Sequence, residues 1–270
     1  MSVRSAVLIA VLCLAGSRLF SAPLFFADDA LQTLHGTCTI APSTTPDHVR
    51  YEFEQGDCQN ADGDRHCHEN DSDAPLSNFI GLALTDFEHE GAHLEAKIVA
   101  EAGTISCSGA VHGAILSGDF TFTPNAAFLQ SMQRLGFSDL SSEKLETYTL
   151  FHIDTAWIQQ LQAAGVTDMN SGNIIALHIF KITPDFVHSM AALGYANLPA
   201  GKLIAFGVHH VNPDEVKEYR AMGYDPTADQ LIQMRIFKVT PDFIHRMQAR
   251  GFQNLTISKL VQIRIFNLAD

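Results

Sequence analysis

A glycine followed by an apolar residue recurs five times in the second half of the chain. The pairs are Gly136-Phe137, Gly165-Val166, Gly194-Tyr195, Gly223-Tyr224 and Gly251-Phe252, spaced 29, 29, 29 and 28 residues apart. Ten residues before the last four glycines stand Thr155, Pro184, Pro213 and Pro241. A period of this length is the mark of a stacked array, in which each unit exposes an apolar stripe that only its neighbours can cover.

One period reads as two helices. Thr183, Asn212 and Thr240 are N-cap residues, and the proline after each suits the first helical position. Asp185, Asp214 and Asp242 place negative charge in the first turn, where the helix dipole favours it. The glycine supplies a left-handed C-cap after about three turns. Phe186, Val187, Met190 and Leu193 fall on one helical stripe. After each glycine, Ser141, Asn170, Thr227 and Thr256 offer second caps. They precede apolar segments at Leu145–Ile153, Ile174–Ile182, Leu203–Val211, Leu231–Val239 and Leu260–Leu268. The recurring caps favour helix. The β-branched ends, such as Ile236 to Val239, leave strand as the alternative.

The first half is a different object. Residues 23–123 carry 17 acidic and 3 basic side chains, whereas residues 124–270 carry 13 and 12. No basic face for nucleic acid is visible in a chain of net charge −13. Alternating apolar and polar residues at Tyr51–Glu54, Leu94–Val99, Gly103–Cys107 and Gly118–Thr123 predict a small antiparallel sheet. The expected fold class is therefore α+β. An N-terminal antiparallel β domain, acidic and cysteine-containing, spans 23–123. A five-unit helical-hairpin array of about 29 residues per unit spans 124–270.

Residues 1–22 read as a signal peptide. Arg4 precedes an apolar run from Ala6 to Gly16, too short to span a membrane and of the right length for a leader. Cleavage fits the small residues Ala15-Gly16-Ser17; a cut after Ala22 would meet Pro23. The expected location is periplasmic or secreted, with no transmembrane span in the mature chain. Export removes Cys13 and leaves Cys38, Cys58, Cys67 and Cys107, an even number in an oxidising compartment. Two disulfides are expected, in any of three connectivities.

The run Gly118–Gly136 (GDFTFTPNAAFLQSMQRLG) and the ITPDFVHSMAALGY type of unit resemble a class of uncharacterised exported bacterial repeat proteins. Similar repeats form the extracytoplasmic tails of BlaR1/MecR1-like sensor proteins of the M56 peptidase type. The resemblance covers residues from about 80 onward. It implies an envelope protein with a β-rich domain followed by helical repeats, and it implies no activity. No apolar run after the leader is long enough for the membrane-embedded peptidase domain of such sensors.

Two clusters carry candidate chemistry. His89-Glu90-Gly91-Ala92-His93 matches H-E-x-x-H. On a helix, His89 and His93 would share a zinc and Glu90 would be the general base. Gly91 weakens such a helix, and strand-like alternation begins at once, at Leu94. A solvated turn is the expected reading; zinc peptidase chemistry is the alternative. The second cluster, Asp62 to Asp73, holds aspartates, His66, Cys67 and His68 but breaks the EF-hand order, with Cys67 where glycine belongs. It reads as a charged hairpin loop. Repeated histidines such as His188 and His245 are scaffold positions. The function expected is a non-enzymatic binding or regulatory module without a cofactor, its array engaging a protein or peptide of the cell envelope.

Overall fold

The computed structural model of the protein describes residues 31–55 and 68–266. The leader at 1–22, Cys58, Cys67 and the Asp62–Cys67 part of the acidic cluster lie outside the described residues.

Six strands form one antiparallel sheet: β1 (Leu34–Pro42), β2 (His48–Gln55), β3 (His68–Pro75), β4 (His93–Ala100), β5 (Gly103–His112) and β6 (Ile115–Pro124). Their order across the sheet is β3-β2-β1-β6-β5-β4. Two three-strand meanders are thus fused along β1 and β6, with Cys38 opposite Gly118 and Ile40 opposite Leu116. The alternation predicted for β2, β4, β5 and β6 is present. Inward-facing Val49, Tyr51, Phe53, Ile98, Ile105, Phe120 and Phe122 are buried, and the residues between them face solvent.

The sheet is sharply curled. In a flat sheet, strands two apart lie roughly 9.5 Å from one another. Cys38 on β1 and Cys107 on β5 flank β6, yet their Cα atoms are 5.8 Å apart and their sulfurs are bonded. Gly118 lies under this bridge and Gly109 pairs with it. A Cβ at Gly118 would come within 2.0 Å of the Ser108 carbonyl oxygen, so no other residue fits the pinch. Of the disulfides expected, Cys38–Cys107 is the one among the described residues.

Among the described residues, ten helices of nine residues each follow. They are α1 (Ala126–Arg134), α2 (Ser142–Leu150), α3 (Thr155–Ala163), α4 (Ser171–Ile179), α5 (Pro184–Ala192), α6 (Ala200–Val208), α7 (Pro213–Ala221), α8 (Ala228–Ile236), α9 (Pro241–Ala249) and α10 (Ile257–Ile265). Odd helices pack on odd ones and even on even, from α1 to α9 and from α2 to α10. The result is two parallel rows. The even row begins on the sheet, where α2 packs against β4, β5 and β6. Sheet residues share one apolar core with Phe128, Met132, Leu145 and Tyr148 of the first helices. A second core runs from Leu161 to the last helix.

The caps behave as their chemistry predicts. Side chains of Ser141, Asn170, Thr183, Asn212, Thr227, Thr240 and Thr256 each accept a backbone N–H from the first turn of their helix. α6 is the exception: Pro199 has no capping side chain. A short parallel bridge replaces the cap, with Thr167 N–H donating to Leu198 O and Ala200 N–H to Thr167 O.

The second segments are helices, but they end earlier than predicted. Each even helix from α2 to α8 stops at a left-handed residue that is not glycine: His152, Lys181, His210 and Lys238, with φ between 50° and 55°. The next residue donates its N–H five residues back, as from Ile153 to Tyr148 O, Ile182 to Leu177 O and Val239 to Met234 O. This is the Schellman closure, which brings an apolar residue after the cap onto the last turn. Ile153, Ile182, Val211 and Val239 are buried for that reason. The β-branched tails that resemble strands are these closing residues.

One period is a residue short. Four residues separate Gly223 from the Thr227 cap, against five from Gly194 to Pro199 and from Gly251 to Thr256. The helices on both sides keep nine residues, so the connecting link absorbs the loss.

Candidate functional site

The H-E-x-x-H stretch is not helical. His89 ends a short 3-10 turn (Leu84–Glu88), Gly91 has φ +76°, and His93 opens β4. The i, i+4 geometry that puts two histidines on one helix face is therefore missing. Glu90 is engaged elsewhere. Its Oε1 lies 2.8 Å from His112 Nδ1, and its Oε2 accepts the Gly113 N–H at 3.0 Å. Both bonds hold its carboxyl below the usual range, on a surface open to water. Among the described residues, no three His, Cys, Asp or Glu side chains stand together as a ligand set.

The second cluster is corrected in part. Its segment from His68 onward is the edge strand β3 and not a loop, with Asn70 opposite Phe53 and Ser72 opposite Tyr51. The carboxylates Glu69, Asp71 and Asp73 fall on the outward register with Glu54, Glu52 and Arg50. A charged outer edge of this kind discourages pairing with another strand.

The helical rows hold the more informative surface. Among the described residues after 124, the large apolar side chains left exposed are Phe151, Ile179, Phe180, Val208, Ile236, Phe252, Ile265 and Phe266. All but Phe252 stand where even helices end. Ile179, Val208, Ile236 and Ile265 are each the last residue of their helix, and are 47, 41, 48 and 48 % exposed. Because the even helices stack in order, these positions form a ridge with one member per helix. Helix geometry explains the exposure: an apolar residue two positions earlier, such as Leu177 or Met234, lies on the opposite face and points into the core.

Two clefts open along this ridge. The first, about 480 Å³, is walled by Phe151, Trp157, His178 and Ile179, with Lys181 at its rim. The indole of Trp157, the one tryptophan of the chain, meets the His178 ring edge-on at 5.1 Å. Burial holds the His178 imidazole below its usual pKa, which favours a neutral, apolar wall at pH 7. The second cleft, about 620 Å³, is bordered by Val208, Met234, Ile236, His210 and Lys238.

Arginines brace the ridge from beneath. Arg235 Nε donates to His209 O at 3.0 Å, and its Nη1 sits 2.7 Å from both oxygens of Glu215. Arg264 repeats the bond one helix on, donating to Lys238 O, and its guanidinium stacks 4.1 Å from the Phe243 ring centroid. Each arginine thereby ties a helix to the turn before it, so the ridge is fixed by polar contacts as well as by packing.

No known protein family matches the chain, and no curated protein or solved structure matches it either. Among the described residues, no helix is long and apolar enough to cross a membrane.

Proposed function

We propose that the chain is an exported binding module. In this reading the ten helices are five two-helix units, one per period of about 29 residues, and the ridge is the contact surface. It takes an apolar stretch of a protein or peptide in the cell envelope, seated across the Phe151–Trp157 cleft and the Val208–Met234 cleft. The observation that carries the proposal is the exposed aliphatic residue repeated at the end of α4, α6, α8 and α10. Contiguous exposed apolar surface costs solubility, and a monomer rarely keeps it without use. Aromatic walls with cationic rims suit side-chain anchoring. The leader-like segment and the Cys38–Cys107 bond support export, as does the resemblance to extracytoplasmic repeat tails.

The test uses Trp157 as its own reporter. The full chain is titrated with a library of short apolar peptides, read by tryptophan fluorescence and by backbone amide shifts. Binding is expected to move amides at Phe151–Thr183 and Val208–Thr240, and Ile179→Asp should abolish it. A library that moves neither set, or binding untouched by Ile179→Asp, refutes the proposal.

A further inference from the structure

The first even helix breaks its own pattern. At the position where α4, α6, α8 and α10 carry Ile175, Ile204, Ile232 and Val261, α2 carries Glu146. That carboxyl is fully buried, with 0 % of the residue exposed. Its Oε1 accepts one hydrogen bond, from Asn70 Nδ2 of edge strand β3 at 3.0 Å. Its Oε2 has no partner. A buried carboxylate with one donor is poorly satisfied; a neutral carboxylic acid in the same place is tolerated far better.

We infer that the Glu146–Asn70 contact is a proton-operated latch, which holds β3 against the first even helix when Glu146 is protonated and loosens that strand when the proton leaves. The geometry allows this at β3 in particular. The strand is an edge, paired on one side only to β2, so it can part from the sheet without breaking any other strand pair.

Among the described residues, Asn70 apart, the surroundings bring the carboxylate no donor or cation. From β2, Tyr51 approaches, and its own phenol is held in the neutral form by burial, with a smaller push from Asp71 and Glu146. From α2 itself, Glu143 adds like charge. The inward faces of β4, β5 and β6 bring aliphatic and aromatic side chains and the bonded Cys107, and no ionisable group. Asp139 and Lys144 are engaged with Ser171 of α4. Burial outweighs the Asn70 hydrogen bond, which favours the ionised form, and with the like charge of Glu143 pushes Glu146 up to about 7. The sign follows. Release of β3 opens the Asn70 side of the carboxyl to water, and a full return to its ordinary 4.5 sets the upper bound of the effect. Opening is then favoured up to tenfold per pH unit between 4.5 and 7, and levels off above 7.

Hydrogen exchange on the full chain tests the latch, with β5 amides as the internal reference and intrinsic exchange rates divided out. Between pH 4.5 and 7 the opening constant of the Asn70–Ala74 amides is expected to rise by up to about two orders of magnitude relative to β5. In Glu146→Gln the ratio should stay flat. If Glu146→Gln does not fold, Glu146→Ile, which restores the residue type of the other even helices, serves in its place. A carboxyl ¹³C titration of Glu146 should show its midpoint near 7 in the wild type. A flat ratio in the wild type, the same slope in the substituted chain, or a midpoint near 4.5 overturns the inference.

Discussion

The sheet and the helical rows solve the same problem at opposite ranges. The sheet is closed by contacts distant in sequence: β1 on β6, and a disulfide across 69 residues. In the rows each helix is closed by contacts within a dozen residues, with a capping side chain at the start of all described helices but α6 and a left-handed turn at the end of each even one but the last described, and helices about one period apart then stack on one another. A long-range closure fails as a whole, because loop entropy returns at once. A local closure fails one helix at a time.

Removing Cys38–Cys107 is the severest way to probe that contrast. By loop-closure entropy for a loop of this length, Cys38→Ala with Cys107→Ala should cost about 4 kcal/mol. Strand amides are expected to lose protection well before those of α5 to α9, as hydrogen exchange would show. If strands and helices fail together, the two regions are one cooperative unit and the contrast does not hold.

Protonation of Glu146 comes next. Its carboxyl favours the fold in acid and loses that contribution as pH rises from 4.5 to 7. Relative to Glu146→Gln, wild-type stability should fall by about 3 kcal/mol over that window and stay level above it. Urea unfolding at pH 4.5 and at pH 7.5 checks both size and sign. A smaller loss would mean that β3 opens alone while the remaining sheet stays shut.

Two kinds of left-handed cap sharpen the local side of the comparison. Gly223 has φ +84° and open space where a Cβ would sit, so Gly223→Ala isolates the backbone cost, about 1–2 kcal/mol. Lys181 already stands at φ 55° with a side chain, and Lys181→Gly should stabilise by up to about 1 kcal/mol. Thermal melts of the pair should move in opposite directions. The smallest effect on stability is expected at the ridge. Ile236→Asn should change unfolding by less than about 0.5 kcal/mol, yet weaken peptide binding at the second cleft.

How legible each region was follows the same division. Thr183-Pro184-Asp185 and its equivalents announce helix starts because capping chemistry is local, and all seven anticipated caps are in use. The alternation at Leu94–Val99 announces β4 for the same reason. By contrast β3, HENDSDAP, has no apolar alternation. Its strand state comes from pairing with β2, and Asn70 faces inward to reach a buried glutamate more than seventy residues away. The turns at His152, Lys181, His210 and Lys238 were hidden because they lack glycine. The signal was present nonetheless: a polar residue followed by Ile or Val, once per period, where a Schellman closure needs them. The ridge was hidden because Leu177 and Ile179 are both apolar and two positions apart, and only the packing of the helix decides which of them faces the core. H-E-x-x-H misleads in the other direction, as its spacing has meaning on a helix and Gly91 opens a turn.

The period one residue short says where this chain can change length. The stack holds every helix at nine residues, and the Gly223–Thr227 link gives up a residue without disturbing either neighbour. Such links all lie at the edge away from the ridge. An insertion there, whether a tag, a loop or a graft, should leave both the register of the rows and the spacing of the ridge intact, whereas one residue added inside a helix would rotate every later side chain off its row. The links that can change length and the exposed ridge thus occupy opposite edges, and each is free to vary without the other.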